Sequence, residues 1–185
     1  MNKFLKGLIF ALLLVAIGIF LYVYFNGDIL KKPLSPKDTV EFKLNDLELE
    51  VFYNRPSKRD RDIFGGLVAY NKVWRTGANE ATTFETNEPL KIGNDYLTAG
   101  KYTLWTIPGE ESWVVIFNSK QYQWGVNDAM QAMRDPKFDA ITIEVPVQKI
   151  SNTVEQFTIA FDNSTDNLSL TMAWDNVKIA VPLNQ

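Results

Sequence analysis

From residue 41 onward, hydrophobic and polar positions alternate with a period of two in several separate runs. Leu47, Leu49 and Val51 alternate with Glu48 and Glu50. Ile141, Ile143, Val145 and Val147 alternate with Thr142 and Glu144. Phe157, Ile159 and Phe161 alternate with Thr158 and Ala160, and Leu168, Leu170, Met172 and Trp174 with Ser169, Thr171 and Ala173. Val177, Ile179 and Val181 alternate with Lys178 and Ala180. Each run predicts a strand with one packed face and one wetter face. Tyr102–Ile107 and Trp113–Phe117 are β-rich and separated by Pro108-Gly109-Glu110-Glu111-Ser112, which predicts a hairpin. Trp113–Phe117 is apolar at every position, so that strand is expected to be central and covered on both faces. Asp162–Asn167 and Asp175-Asn176 carry turn residues, the latter as a two-residue hairpin loop. One helix is expected at Asn127–Arg134, with Asn127 or Asp128 as cap and Pro136 as stop. The pattern predicts an all-β antiparallel sandwich, jelly-roll-like, over residues 39–185, with that one short helix.

A different pattern precedes it. Gly7–Phe25 holds 19 residues without a charge, long enough as a helix to cross a bilayer. The run ends in Tyr22-Val23-Tyr24-Phe25, aromatic and bulky, which suits an interfacial belt better than a small-residue cleavage site. Residues 1–27 therefore read as an uncleaved membrane anchor and 28–38, with two prolines and three lysines, as a tether. Lys3 and Lys6 on a short N-terminal tail favour a cytoplasmic N-terminus and an extracytoplasmic domain.

Composition narrows the chemistry. The 185 residues contain no Cys and no His, so disulfides, thiolate sites, Ser-His-Asp triads and histidine metal ligands are excluded. No metal site and no cofactor are expected. From Asp38 onward there are 14 basic and 21 acidic residues, a net −7, which disfavours nucleic acid as a partner. Against that background, four of the five arginines (Arg55, Arg59, Arg61 and Arg75) fall within 21 residues. Their forked guanidiniums suit carboxylate, sulfate or phosphate, but the first reading of the run is a solvated loop, with Arg59 and Arg61 paired to Asp60, Asp62 or other surface acids.

The segment Val73–Thr83 concentrates the most chemistry. Trp74, Arg75, Asn79 and Glu80 surround Gly77, bringing apolar area, fixed positive charge, amide and carboxylate into one short run. The structural alternative is a core Trp74 with Gly77 in a left-handed turn. Trp113 and Trp174 occupy alternating strand positions and read as core, whereas Tyr122 and Trp124 sit among polar neighbours and read as surface.

Several of these runs together identify a resemblance. They are Arg55–Lys58, Ile63–Val68, Val73–Thr83, Leu97–Leu104, Thr106–Gly109, Trp124-Gly125 and Ala173-Trp174-Asp175. Residues Leu47–Leu183 resemble the bacterial domain-of-unknown-function 2911 family. The resemblance implies a secreted or envelope protein and brings no assigned activity or catalytic residue. A long apolar anchor stands here in place of a cleavable signal.

The sequence thus supports three readings, in order. The first is an anchored, non-enzymatic module binding a glycan or an anionic small molecule at Trp74, Arg75, Asn79 and Glu80. The second is a structural domain of the cell envelope that contacts another envelope protein. The third is a carboxylate-based hydrolase using Glu80 with Arg75.

Overall fold

The structure is a computed structural model that describes residues 2–26, 33–165 and 167–184. Two compact units divide at Pro33/Leu34. The first holds one helix, α1 (Lys3–Asn26), whose side chains are exposed from Lys3 to Phe25 and which carries no charge after Lys6. At about 1.5 Å per residue it is long enough to span a bilayer. By length and composition it fits a membrane anchor or a signal sequence. Of the expected tether, residues 28–32 lie outside the described residues.

The second unit is an unequal antiparallel sandwich of ten strands. They are β1 (Lys37–Leu44), β2 (Leu47–Asn54), β3 (Thr83–Thr86), β4 (Leu90–Ile92), β5 (Asp95–Leu97), β6 (Gly100–Pro108), β7 (Ser112–Asn118), β8 (Asp139–Pro146), β9 (Gln148–Asp162) and β10 (Ser169–Pro182). Six strands form one sheet in the order β1-β2-β3-β6-β7-β8. The long β9–β10 pair forms the opposing layer, and β4–β5 is a separate hairpin inserted between β3 and β6. The alternating residues do what their period dictates: Leu47, Leu49 and Val51 of β2 share one core with Ile159, Met172 and Ile179 of the opposing pair.

The predicted 104–118 hairpin forms, with Thr103 paired to Asn118 and Pro108 to Trp113. Its β7 strand lies next to the sheet edge, and both faces are covered. Trp113, Val115 and Phe117 enter the main core, while Ile116 is buried on the outer face. On that outer face Trp105 is also buried, its ring packed edge-on against Tyr122 at 5.3 Å. Tyr122, expected at the surface, is thus a cover for Trp105, and its hydroxyl accepts from the Asp135 amide at 2.8 Å.

Two local expectations are corrected. Residues 127–134 form no helix. The Asn127 carboxamide oxygen accepts from the amides of Ala129 and Gln131 at 3.0 and 2.9 Å, closing a tight turn instead of capping a helix. Val126 and Ala132 bridge across that turn, and a three-residue 3-10 turn follows at Pro136–Phe138. Asp175-Asn176 is not a hairpin loop either. β10 runs straight through it, with Asp175 at φ 53 in a region of shifted register opposite Val154. The opposite strand carries the extra residues, and Lys58 holds the Asp175 carboxylate at 2.9 Å.

One tyrosine ties the two layers. Tyr53, fully buried in β2, accepts from the Ile159 amide at 3.0 Å and lies 3.4 Å from both the Ile159 carbonyl and Asp38 Oδ2. Burial pushes its pKa above the ordinary tyrosine value, because a phenolate there would lose its hydration. An acid whose pKa is higher folded than unfolded adds stability that is complete below the unfolded value, about 10, and is lost as pH rises through the folded value. Tyr53→Phe should therefore cost about 1–3 kcal/mol at pH 7, by leaving the Ile159 amide unpartnered. It should also flatten the alkaline fall in melting temperature above about pH 10. An unchanged alkaline profile would show that Tyr53 does not control it.

Candidate functional site

The chain leaves the sandwich at Asn54 and returns at Thr83, and the intervening loop builds the site. Where β3 stops pairing with β6, Trp74 takes over: its amide donates to Thr106 O at 2.7 Å, and Thr106 N donates back to Trp74 O at 3.0 Å. The Trp74 ring lies on the core side, 4.9 Å from Phe157 and 6.2 Å from Trp113, and stacks on Trp174 at 6.0 Å and 17°. Its Nε1 donates to Gly77 O at 3.1 Å. The chain then reverses sharply. Thr76, Gly77 and Asn79 have φ of 56, 153 and 54. A β-branched residue in the left-handed region is strained, and three contacts hold it there: Thr106 Oγ1 to Thr76 Oγ1 at 3.2 Å, Thr82 Oγ1 to Thr76 O at 2.8 Å, and the Trp74–Gly77 bond.

Arg75 and Asn79 are partly buried beside this turn. Arg75 Nη1 donates to Asn79 O at 2.8 Å and to Trp124 O at 3.2 Å, and the guanidinium carbon lies 5.9 Å from the Trp124 ring. Burial lowers the Arg75 pKa from its ordinary value, and the group stays cationic. Among the described residues it forms no ion pair, and its Nε–Nη2 edge has no hydrogen-bond partner. Asn79 Nδ2 is 3.4 Å from both Ser35 O and Asn54 Oδ1.

These residues border an open cleft of about 550 Å³. Trp74, Arg75, Gly77 and Asn79 form one wall, with Trp174. Leu67, Val68 and Lys72 come from the same loop, Val126, Met130 and Ala132 from the turn after β7, and Leu34-Ser35 from the segment before β1. Arg59 and Arg61 complete the rim. Glu80 does not line it. Its carboxylate pairs with Lys37 and accepts from Asn54 Nδ2 at 3.0 Å, and the hydrogen bond from Lys37 holds it below the usual carboxylate range. Three of the four sequence candidates thus share one cleft, and the fourth fastens the loop to the start of β1.

Arg59 and Arg61 differ from the expected solvated pairs. Among the described residues neither meets a carboxylate through its guanidinium. Arg61 donates from Nε to Lys58 O at 2.9 Å and from Nη2 to Ser57 O, while Arg59 Nη2 donates to Leu34 O at 3.0 Å. The turn presenting them has positive φ at both central residues, Arg59 and Asp60, an arrangement usually left to Asn and Gly. Arg55, by contrast, is structural, pairing with Asp38 at 3.3 Å and donating to Thr158 Oγ1 at 3.0 Å. The signal available in the sequence was the concentration of arginine within an acidic domain. The contributions of Leu34, Lys72 and Met130 left no such signal.

Residues 35–183 match the family described as a protein of unknown function, DUF2911. No curated protein and no solved structure matches the chain.

Proposed function

We propose, for a chain that belongs to the DUF2911 family and takes no activity from it, that the sandwich is a binding module for a small anionic ligand seated in the Arg-rimmed cleft. One observation carries this reading: the cleft is lined by Arg59, Arg61, Lys72 and Arg75 and by no Asp or Glu among the described residues, in a domain of net −7. Uncompensated cations on a concave surface concentrate anions, and guanidiniums held by backbone carbonyls keep donors positioned for an oxyanion. Trp74, Arg75 and Asn79 contact the ligand in this reading. Glu80 acts indirectly, through Lys37 and Asn54, by fixing the loop. With Lys3 and Lys6 retained in the cytoplasm, α1 anchors the module and the cleft works outside the cytoplasm.

The reading is tested on the full chain in phosphatidylcholine nanodiscs, by melting temperature at matched ionic strength. Citrate, sulfate and inorganic phosphate serve as anionic probes and maltohexaose as a neutral glycan. At least one anion should raise the melting temperature, and Arg61→Ala should weaken that anion about ten-fold or more, the usual cost of one charge-assisted hydrogen bond. Stabilisation by maltohexaose alone, or equal anion shifts in the Arg59→Ala/Arg61→Ala double variant, would overturn it.

A further inference from the structure

We infer, on the basis of that anion-binding reading, that the ligand is an amphiphile: an aliphatic chain carrying a phosphate or carboxylate head. Three exposed aliphatic side chains from distant segments converge on this cleft: Leu34 (69% exposed), Leu67 (50%) and Met130 (66%). Exposed side chains of this kind usually scatter, and a cluster at a concave site beside cations marks a surface that an apolar group covers. Met130 stands at φ 59, a left-handed conformation unfavourable for its side chain, in the turn held by the Asn127 carboxamide. An unbranched, polarisable methionine adapts to a flexible chain.

The aromatic residues say what the apolar part is. Trp74 and Trp174 line the cleft, but they stack on each other, and both also pack against Phe157. Their faces are thereby engaged in the core and do not form a free platform for a sugar or a nucleobase. Trp124, the exposed indole nearby, lies under the Arg75 guanidinium and outside the cleft lining. What the cleft offers beyond its cations is aliphatic contact, which a hydrocarbon chain satisfies without ring stacking. For the head, Arg75 is the best-prepared donor. Its Nη1 is spent on two carbonyls, and its Nε–Nη2 edge, the fork that meets an oxyanion bidentately, has no partner among the described residues. The volume, about 550 Å³, falls within the range of small-molecule sites.

The test uses the full chain in phosphatidylcholine nanodiscs and follows tryptophan fluorescence, since Trp74 and Trp174 border the cleft. Octyl phosphate, inorganic phosphate and octyl glucoside are titrated below any micellar concentration. Octyl phosphate should bind at least about ten-fold more tightly than either of the others. The exposed-site variant Leu67→Ser/Met130→Ser should weaken octyl phosphate about ten-fold and leave inorganic phosphate unchanged. Adding phosphatidic acid to the discs separates the sources. Competition with octyl phosphate supports a bilayer lipid as occupant, and undiminished binding supports a free amphiphile. If inorganic phosphate binds as tightly as octyl phosphate, or the double variant keeps full octyl phosphate affinity, the amphiphile inference fails and anion binding stands. If octyl glucoside binds as tightly as octyl phosphate, anion binding itself fails.

Discussion

Trp113→Ala should remove about 3–5 kcal/mol of unfolding free energy, the range for deleting a large aromatic from a packed interior. Trp113 is 1% exposed on the inner face of β7. The Phe64 ring packs against it edge-on at 4.9 Å, and Trp74 lies 6.2 Å away. Those two residues belong to the long loop between β2 and β3, so Trp113 is where that loop rests on the large sheet. A void there is lined by aromatic rings and strand backbone, neither of which collapses easily. Domains of this size are stable by about 5–15 kcal/mol, so the loss is a large fraction of the whole. Denaturant unfolding should show a lower midpoint with an unchanged slope. A loss under about 1 kcal/mol would mean that the loop does not pack on Trp113 as described. The same variant should also weaken anion binding, because Trp74 and Arg75 are adjacent in the chain.

Gly77→Ala should cost about 1–3 kcal/mol and reduce anion affinity with it. Gly77 has φ 153 and is buried, and a Cβ added there would lie 3.0 Å from the Asn54 carbonyl oxygen and 3.1 Å from Thr82 Oγ1. Asn54 closes β2 and is itself fully buried, so the oxygen cannot move away cheaply. Gly77 cannot shift freely either, since Trp74 Nε1 is bonded to its carbonyl. The strain therefore passes along the turn to Asn79, whose carbonyl holds Arg75 at 2.8 Å. Calorimetric melting of the variant, paired with the citrate and phosphate titrations, reads both effects. A neutral Gly77→Ala would contradict the turn geometry on which the cleft depends.

Much of the sandwich was legible because a period of two is a local property. Leu47, Leu49 and Val51 face the core whatever strand lies beside them, and the 104–118 hairpin joins neighbours in sequence. The misread elements depended on distant partners. Asp175-Asn176 has turn residues, yet whether they turn the chain or bulge a strand is decided by β9 opposite and by Lys58, which no local window contains. At Asn127 the same carboxamide can cap a helix or close a tight turn, and the bridge between Val126 and Ala132 accompanies the turn. The site divides in the same way. Trp74, Arg75 and Asn79 were readable as one unusual run. Glu80, one residue further on, belongs to Lys37 and Asn54 instead, and the rest of the cleft comes from segments separated by many residues.

The short stretch ahead of β1 has a practical consequence for where this domain starts. Leu34 and Ser35 line the cleft, Leu34 O accepts from Arg59, Ser35 O lies 3.4 Å from Asn79 Nδ2, and Pro36 O accepts from the Arg55 amide at 2.8 Å. A protease that cuts the linker upstream of Leu34 would release a sandwich that keeps its cleft. A cut three residues later, directly before Lys37, would remove one wall, free Arg59 and strip the Arg55 amide of its partner, while leaving all ten strands in place. A soluble form begun at Asp38 would in addition lose Lys37, the first residue of β1 and the ion-pair partner of Glu80, and would be a poor test of the proposed binding.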